Sequence, residues 1–269
     1  MMWVLRQHRH LNREAVAMNR YPTEPSGDTF KQSVRLHYLS LKHTIFYFLM
    51  IAVVKNMGNY FESLISNRFV TVFILLIAFA VMAYFFAASL IATNEAFLDK
   101  PKSIKAILTA TWERILKIYS SIILYFAGII LTYYVVRLIL IVIGKIVREP
   151  SALHGGLFII GVALVFVFVA MFYFAMPLCT IKNTELKTAF YNSLLLTEKV
   201  KFNVLVSFVI LGALFLLISP AMLHESFLAA YHLTVFFDFV ALCVLGPVYV
   251  NMILLSINDA ELELKLEEV

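Results

Sequence analysis

The chain has 269 residues, of which 62% are hydrophobic and only 14% charged, with a mean hydropathy of +0.87. That composition excludes a soluble globular domain and, over most of the length, intrinsic disorder. Two cysteines are too few for a secreted disulfide scaffold, and a net charge of +5 on so apolar a chain points to a lipid surface rather than to nucleic acid.

In chain order, residues 1–28 read as a basic, mostly unstructured cytoplasmic tail ending in Pro22, Pro25, Ser26 and Gly27, with no apolar run of the kind a cleavable signal requires. A transmembrane domain is expected over 29–257. Crossing ~30 Å of hydrocarbon takes about 20 apolar residues, because every backbone amide must be bonded within its own segment. Phe69–Thr93, Ile118–Ile143, Leu157–Ile181 and Val204–Ser219 meet that requirement, the last with help from Pro220 to Leu223. Phe227–Ile257 also meets it, although His232, Asp238 and Asn251 interrupt it. Thr44–Tyr60 is the weak case, since Lys55 and Asn56 cut its apolar run short. Charge decides it. Basic residues gather on the cytoplasmic side of short loops, and five lie between Asn94 and Lys117, four between Lys182 and Lys201, and seven up to Lys42. The opposite loops carry Lys145 and Arg148. A crossing between Lys42 and Arg68 is then required, with Lys55 snorkelling outward. The expectation is an all-α membrane protein with six spans and both termini cytoplasmic, in the bacterial inner membrane. Residues 258–269 form an acidic helix end or tail.

The three cytoplasmic segments superpose without gaps at offsets of 74 and 82 residues. Phe30, Ile104 and Leu186 coincide, followed by Lys31, Lys105 and Lys187; then Val34, Leu108 and Phe190; then Tyr38, Trp112 and Leu194; and finally His43, Lys117 and Lys199. In the middle copy Ile104, Ile107, Leu108, Thr111, Trp112, Ile115 and Leu116 share one helical face. This pattern predicts interfacial helices, apolar face toward lipid and lysines toward anionic headgroups. The unit is interfacial helix, span out, span back, repeated in parallel over 28–94, 102–181 and 185–257, with the pseudo-symmetry axis along the membrane normal. Ile257-Asn258-Asp259-Ala260-Glu261-Leu262-Glu263 echoes the entrance to the third copy and reads as the start of an unfinished fourth.

The run Ala175-Met176-Pro177-Leu178, the break at Lys182-Asn183, the stretch Leu186 to Ser193 and the second copy Pro101 to Ala106 resemble the YciC-type family of bacterial inner-membrane proteins. They are also similar to the membrane domain attached to some glycerophosphodiester phosphodiesterases. The resemblance is one of layout and short motifs from Phe30 onward. It implies an envelope or lipid-associated role, and it brings no catalytic residue with it.

Charges inside a bilayer are functional candidates by default. Arg137 and Asp238 both fall in the outer third of the membrane by residue counting, open to three readings: an ion pair between the second and third units, separate snorkelling, or transport. His232 and Asn251 complete the intramembrane polar set. His154, His224 and His232, with Glu149 and Glu225, belong near the external face, but no His-x-x-x-His pair orients two imidazoles, so no metal and no cofactor is expected. Pro177 and Pro247 are expected hinges, read first as packing kinks. Ala83, Ala87 and Ala88 are the small positions left for tight helix pairing. Both cysteines fall in spans and read as packing.

Nucleophile elbows, zinc motifs, phosphate loops and dinucleotide fingerprints are missing. The leading expectation is a non-enzymatic protein of membrane or lipid organisation, or of envelope-complex assembly, whose partners are anionic phospholipids and possible further copies or envelope proteins. The headgroup residues are Lys31, His43, Lys105, Lys117, Lys187 and Lys199. A transporter or channel using Arg137, Asp238 and His232 is the alternative. An embedded lipid-modifying enzyme, with Glu95, Asp99 or His43 as its few candidates, comes third.

Overall fold

The computed structural model describes residues 29–65, 67–146, 164–218 and 228–267, and the regular structure among them is all helix. In order these are α1 (Thr29–Arg35), α2 (His37–Leu64), α3 (Arg68–Phe97), α4 (Ile104–Glu113) and α5 (Ile115–Ile146). Then follow α6 (164–171), α7 (Ala175–Ile181), α8 (Leu186–Lys199), α9 (Lys201–Ile218) and α10 (Leu228–Glu267). Five stretches are long and apolar enough to cross a membrane: His37–Gly58, Arg68–Phe97, Ile115–Ile139, Leu164–Ile181 and Phe239–Leu264. The weak segment at Thr44–Tyr60 is among them, because the helix begins earlier than its apolar run and gains length from His37 onward. The stretch from Val204 lies in α9, which is described as far as Ile218.

Local chemistry sets the boundaries. Asn67 caps α3 by accepting from the Phe69 N–H at 3.0 Å, and Ser103 caps α4 through the Ala106 N–H at 3.3 Å. The end of α3 closes as Asp99 turns left-handed (φ 54°), while its N–H reaches Ala96 O and that of Lys100 reaches Glu95 O. This is the Schellman arrangement, here with aspartate where glycine is usual. Asn183 (φ 53°) makes the corresponding turn after α7. By contrast α10 is unbroken through Asn258 and Asp259, so the echo of the third entrance produces no turn and the acidic terminus up to Glu267 is a helix end.

The described residues divide into two compact units, one comprising those up to Ile115 with those from Lys199 onward, the other Leu116–Glu198. In the first, α2 and α3 pair as a hairpin, α4 packs on α3, and α10 lies against α1, α2, α3 and α9. Tyr47, Ala88, Ile91, Ala92 and Ile107 form one buried cluster. Of the small residues expected to pair helices, Ala87 and Ala88 are fully buried and Ala83 half-buried. Gly246 adds a notch the sequence did not advertise, since a Cβ there would run into the ring of buried Phe48. With that ring seated beside it, Pro247 stays inside a continuous α10 rather than dividing it.

In the second unit Phe168 faces Gly128 in the same manner, and its ring begins a series through Phe172 to Phe190 of α8. The returning span is interrupted by a turn at 172–174. That interruption places Pro177 in the first turn of α7, where its missing N–H removes no helical bond.

Candidate functional site

The short helices α1, α4 and α8 each precede a long apolar helix, and each has three faces rather than the two expected. One face is buried: Thr29 and Ser33 on α1, Ile107 and Thr111 on α4, Ala189, Ser193, Leu196 and Thr197 on α8. A second carries Phe30, Val34, Ile104, Trp112 and Leu194, all exposed, with Leu108, Leu186 and Phe190 half-buried; Tyr38, just inside α2, continues it on the α1 side. On the third stand Lys31, Lys105 and Lys187, exposed in every copy. The single apolar stripe of α4 therefore splits, Ile107 and Thr111 turning into protein while Trp112 is 67% exposed. A helix that touches both protein and lipid needs an apolar surface for each.

The helices α4 and α8 each dock on the returning helix of the hairpin before them, and polar side chains make the joint. Tyr84 of α3 donates its hydroxyl to Leu108 O at 2.8 Å. Ser193 of α8 donates to Met171 O at 3.1 Å and accepts from the Phe174 N–H at 3.0 Å, while Thr197 donates to Ala170 O at 3.2 Å. Ser193 thus serves backbone groups that the interrupted span leaves open, and Thr197 adds a second bond to Ala170 O, which also accepts from the Tyr173 N–H. For α1 the partner is α10. Asn251 Nδ2 donates to Ser33 O at 2.9 Å and to Ser40 Oγ at 3.0 Å, which splints the break at Leu36 between α1 and α2. Thr29 Oγ1 donates to the Asp259 carboxylate at 2.9 Å and accepts from Asn203 Nδ2 at 2.9 Å. Asp259 is 2% exposed.

Of the intramembrane polar candidates, Asn251 is thus a buried joint of α10. Arg137 is exposed on α5, with no hydrogen bond or ion pair to any other described residue. Asp238 and His232 lie on the α10 backbone with side chains outside the described residues, and so does any pairing of Asp238 with Arg137. His154, His224, Glu149 and Glu225 also lie outside them. Among the described residues no three metal-ligating side chains gather.

The headgroup set divides. Lys31, Lys105 and Lys187 are exposed, while His43, Lys117 and Lys199 are half-buried. Lys117 Nζ donates to Asn183 O at 2.9 Å and Asn183 Oδ1 at 2.8 Å, holding the left-handed turn between α7 and α8. Glu95 receives Lys102 Nζ at 2.8 Å across the α3 end, and Asp99 forms the turn itself, so both candidate carboxylates of the third reading have structural work.

Sequence reasoning missed Thr29, Asn203, Asp259, Ser193 and Thr197. A signal existed for α1 and α2: Thr29, Ser33, Ser40 and Thr44 recur at spacings of four, seven and four, one helical face made of small hydroxyls. Comparison with protein-family models, with curated protein sequences and with solved structures finds no match to this chain.

Proposed function

We propose that this is a non-enzymatic, six-span protein of the bacterial inner membrane, with both termini cytoplasmic, that organises anionic phospholipid at the membrane surface or anchors an envelope assembly there. The observation that carries the reading is the three-faced form of α1, α4 and α8. Each buries one face in protein, lays exposed or half-buried apolar side chains along a second, and holds a lysine outward on the third. Apolar residues and cations side by side fit the boundary between acyl chains and acidic headgroups.

A parallel threefold repeat is supported by burial in register. Ser33, Ile107 and Ala189 are 0, 1 and 0% exposed, and Thr44, Ile118 and Val200 are 0, 0 and 5%. The docking order supports it too: the second copy's short helix on the first hairpin, the third's on the second, and the first's on the last. In this reading α9 supplies the sixth crossing. The YciC-type layout resemblance points in the same direction.

The test is lipid selectivity of the full chain. Lys31→Gln, Lys105→Gln and Lys187→Gln combined should bring the ratio of anionic to zwitterionic phospholipid retained on purification down toward that of the surrounding membrane, each lysine contributing roughly 1 kcal/mol. An unchanged ratio in a normally folded triple variant overturns the reading. Lys117→Gln alone should leave the ratio intact and instead loosen the turn at Asn183.

A further inference from the structure

We infer that Arg137, flanked by Tyr133 and Tyr134, binds the phosphodiester of a phospholipid in the leaflet opposite the entrance lysines. The helix α5 runs unbroken from Ile115 to Ile146, and its apolar crossing is Ile115–Ile139. Arg137 follows Lys117 by twenty residues, which at ~1.5 Å per residue is about 30 Å, the thickness of the hydrocarbon core. If Lys117 stands at one headgroup level, Arg137 stands at the other.

The surroundings of Arg137 narrow its partner. Leu131, Tyr133, Tyr134, Val135, Leu138 and Ile139 are all exposed and Thr132 and Val136 half-buried, so most of the helix circumference at this depth, Arg137 included, is open to the membrane. At that level the anions within reach of an exposed guanidinium are the lipid phosphates. Its planar fork matches two phosphate oxygens, which a carbonyl or ester oxygen of the same lipid does not offer. Tyr133 and Tyr134 lie four and three residues before it, on the same helix face. Their rings meet edge to face at 5.6 Å, and phenols of this kind sit at the headgroup boundary with the hydroxyl toward water. One fixed cation with two phenolic donors beside it forms a site for a single phosphodiester. The inference shares with the proposed function the reading that Ile115–Ile139 spans the bilayer; it does not depend on Lys31, Lys105 or Lys187.

The full chain, reconstituted in bilayers of phosphatidylethanolamine and phosphatidylglycerol with labelled guanidinium carbons, should show a magnetic-resonance contact to lipid phosphorus that disappears in Arg137→Gln and survives on the ammonium in Arg137→Lys. Native mass spectrometry should show Arg137→Gln retaining about one phospholipid fewer per chain. No arginine to phosphorus contact specific to Arg137 in the unaltered protein overturns the inference. So does rescue of Arg137→Asp by Asp238→Arg, which would assign the guanidinium to a carboxylate within the chain. Loss of lipid selectivity in the triple lysine variant with the Arg137 contact intact would separate this site from the entrance helices.

Discussion

The crossings in α3 and α10 are both strongly apolar, yet of the most apolar 18 residues in each 6% are buried in the first and 67% in the second. Within α3 the contrast repeats: Phe69 and Phe73 are 88% and 63% exposed, while Ala87 to Thr93, Ala96 and Phe97 are buried. Hydrophobicity therefore does not separate core from surface here, because lipid tails are as apolar as a protein interior and give no drive to hide leucine or phenylalanine from them. Small and polar residues mark what is inside. Ser33, Ser40, Thr44, Ser89, Thr93, Asn251 and Asp259 are all buried, and several make the joints between elements.

Substitutions of one residue type in the two environments should break or sharpen this contrast. The largest effect is expected at Phe48. Phe48→Ala should lower stability by about 3–5 kcal/mol in chemical unfolding from bicelles, the range for a buried ring, because the notch at Gly246 has nothing else to receive. Next is Gly246→Val, which forces a side chain against that ring and should cost ~1–3 kcal/mol through overpacking. Ser193→Ala leaves the Phe174 N–H without its partner and Met171 O with the longer bond from Thr197, an expected loss of roughly 1–2 kcal/mol. Tyr84→Phe removes one bond to Leu108 O and should lose about 0.6 kcal/mol, the average for such a bond in a membrane. Smallest is Phe73→Ala, expected within about 0.5 kcal/mol. If Phe73→Ala were as damaging as Phe48→Ala, the exposed half of α3 would be covered by protein and the distinction would collapse.

What the residues disclosed beforehand follows the same division. Hydropathy located the apolar stretches, and basic residues decided the doubtful first crossing, because both report on the membrane and neither needs tertiary contacts. Asn251 stood out as an amide in an apolar run. Asp259 did not, since it sits in an acidic terminus that reads as solvated, and its burial depends on Thr29 and Asn203 arriving from distant parts of the chain. Ser193 and Thr197 were hidden for a related reason: a hydroxyl is equally at home as a cap, in a helix interior or at a joint, and only the interruption at 172–174 selects the last. The three-faced form of the entrance helices was likewise out of reach, because one apolar stripe in sequence does not say how it will be shared between lipid and protein.

The bond from Thr29 to Asp259 spans 230 positions, and this places a clock on assembly. At synthesis rates of ~5–20 residues per second, α1 emerges on the order of 10–50 s before its docking surface exists. During that interval the Thr29 hydroxyl and the Ser33 carbonyl must be satisfied by water, headgroups or an insertion factor. A chain stopped before α9 and α10 would present a finished first hairpin beside an unattached α1, a state recognisable to quality-control proteases by that helix alone.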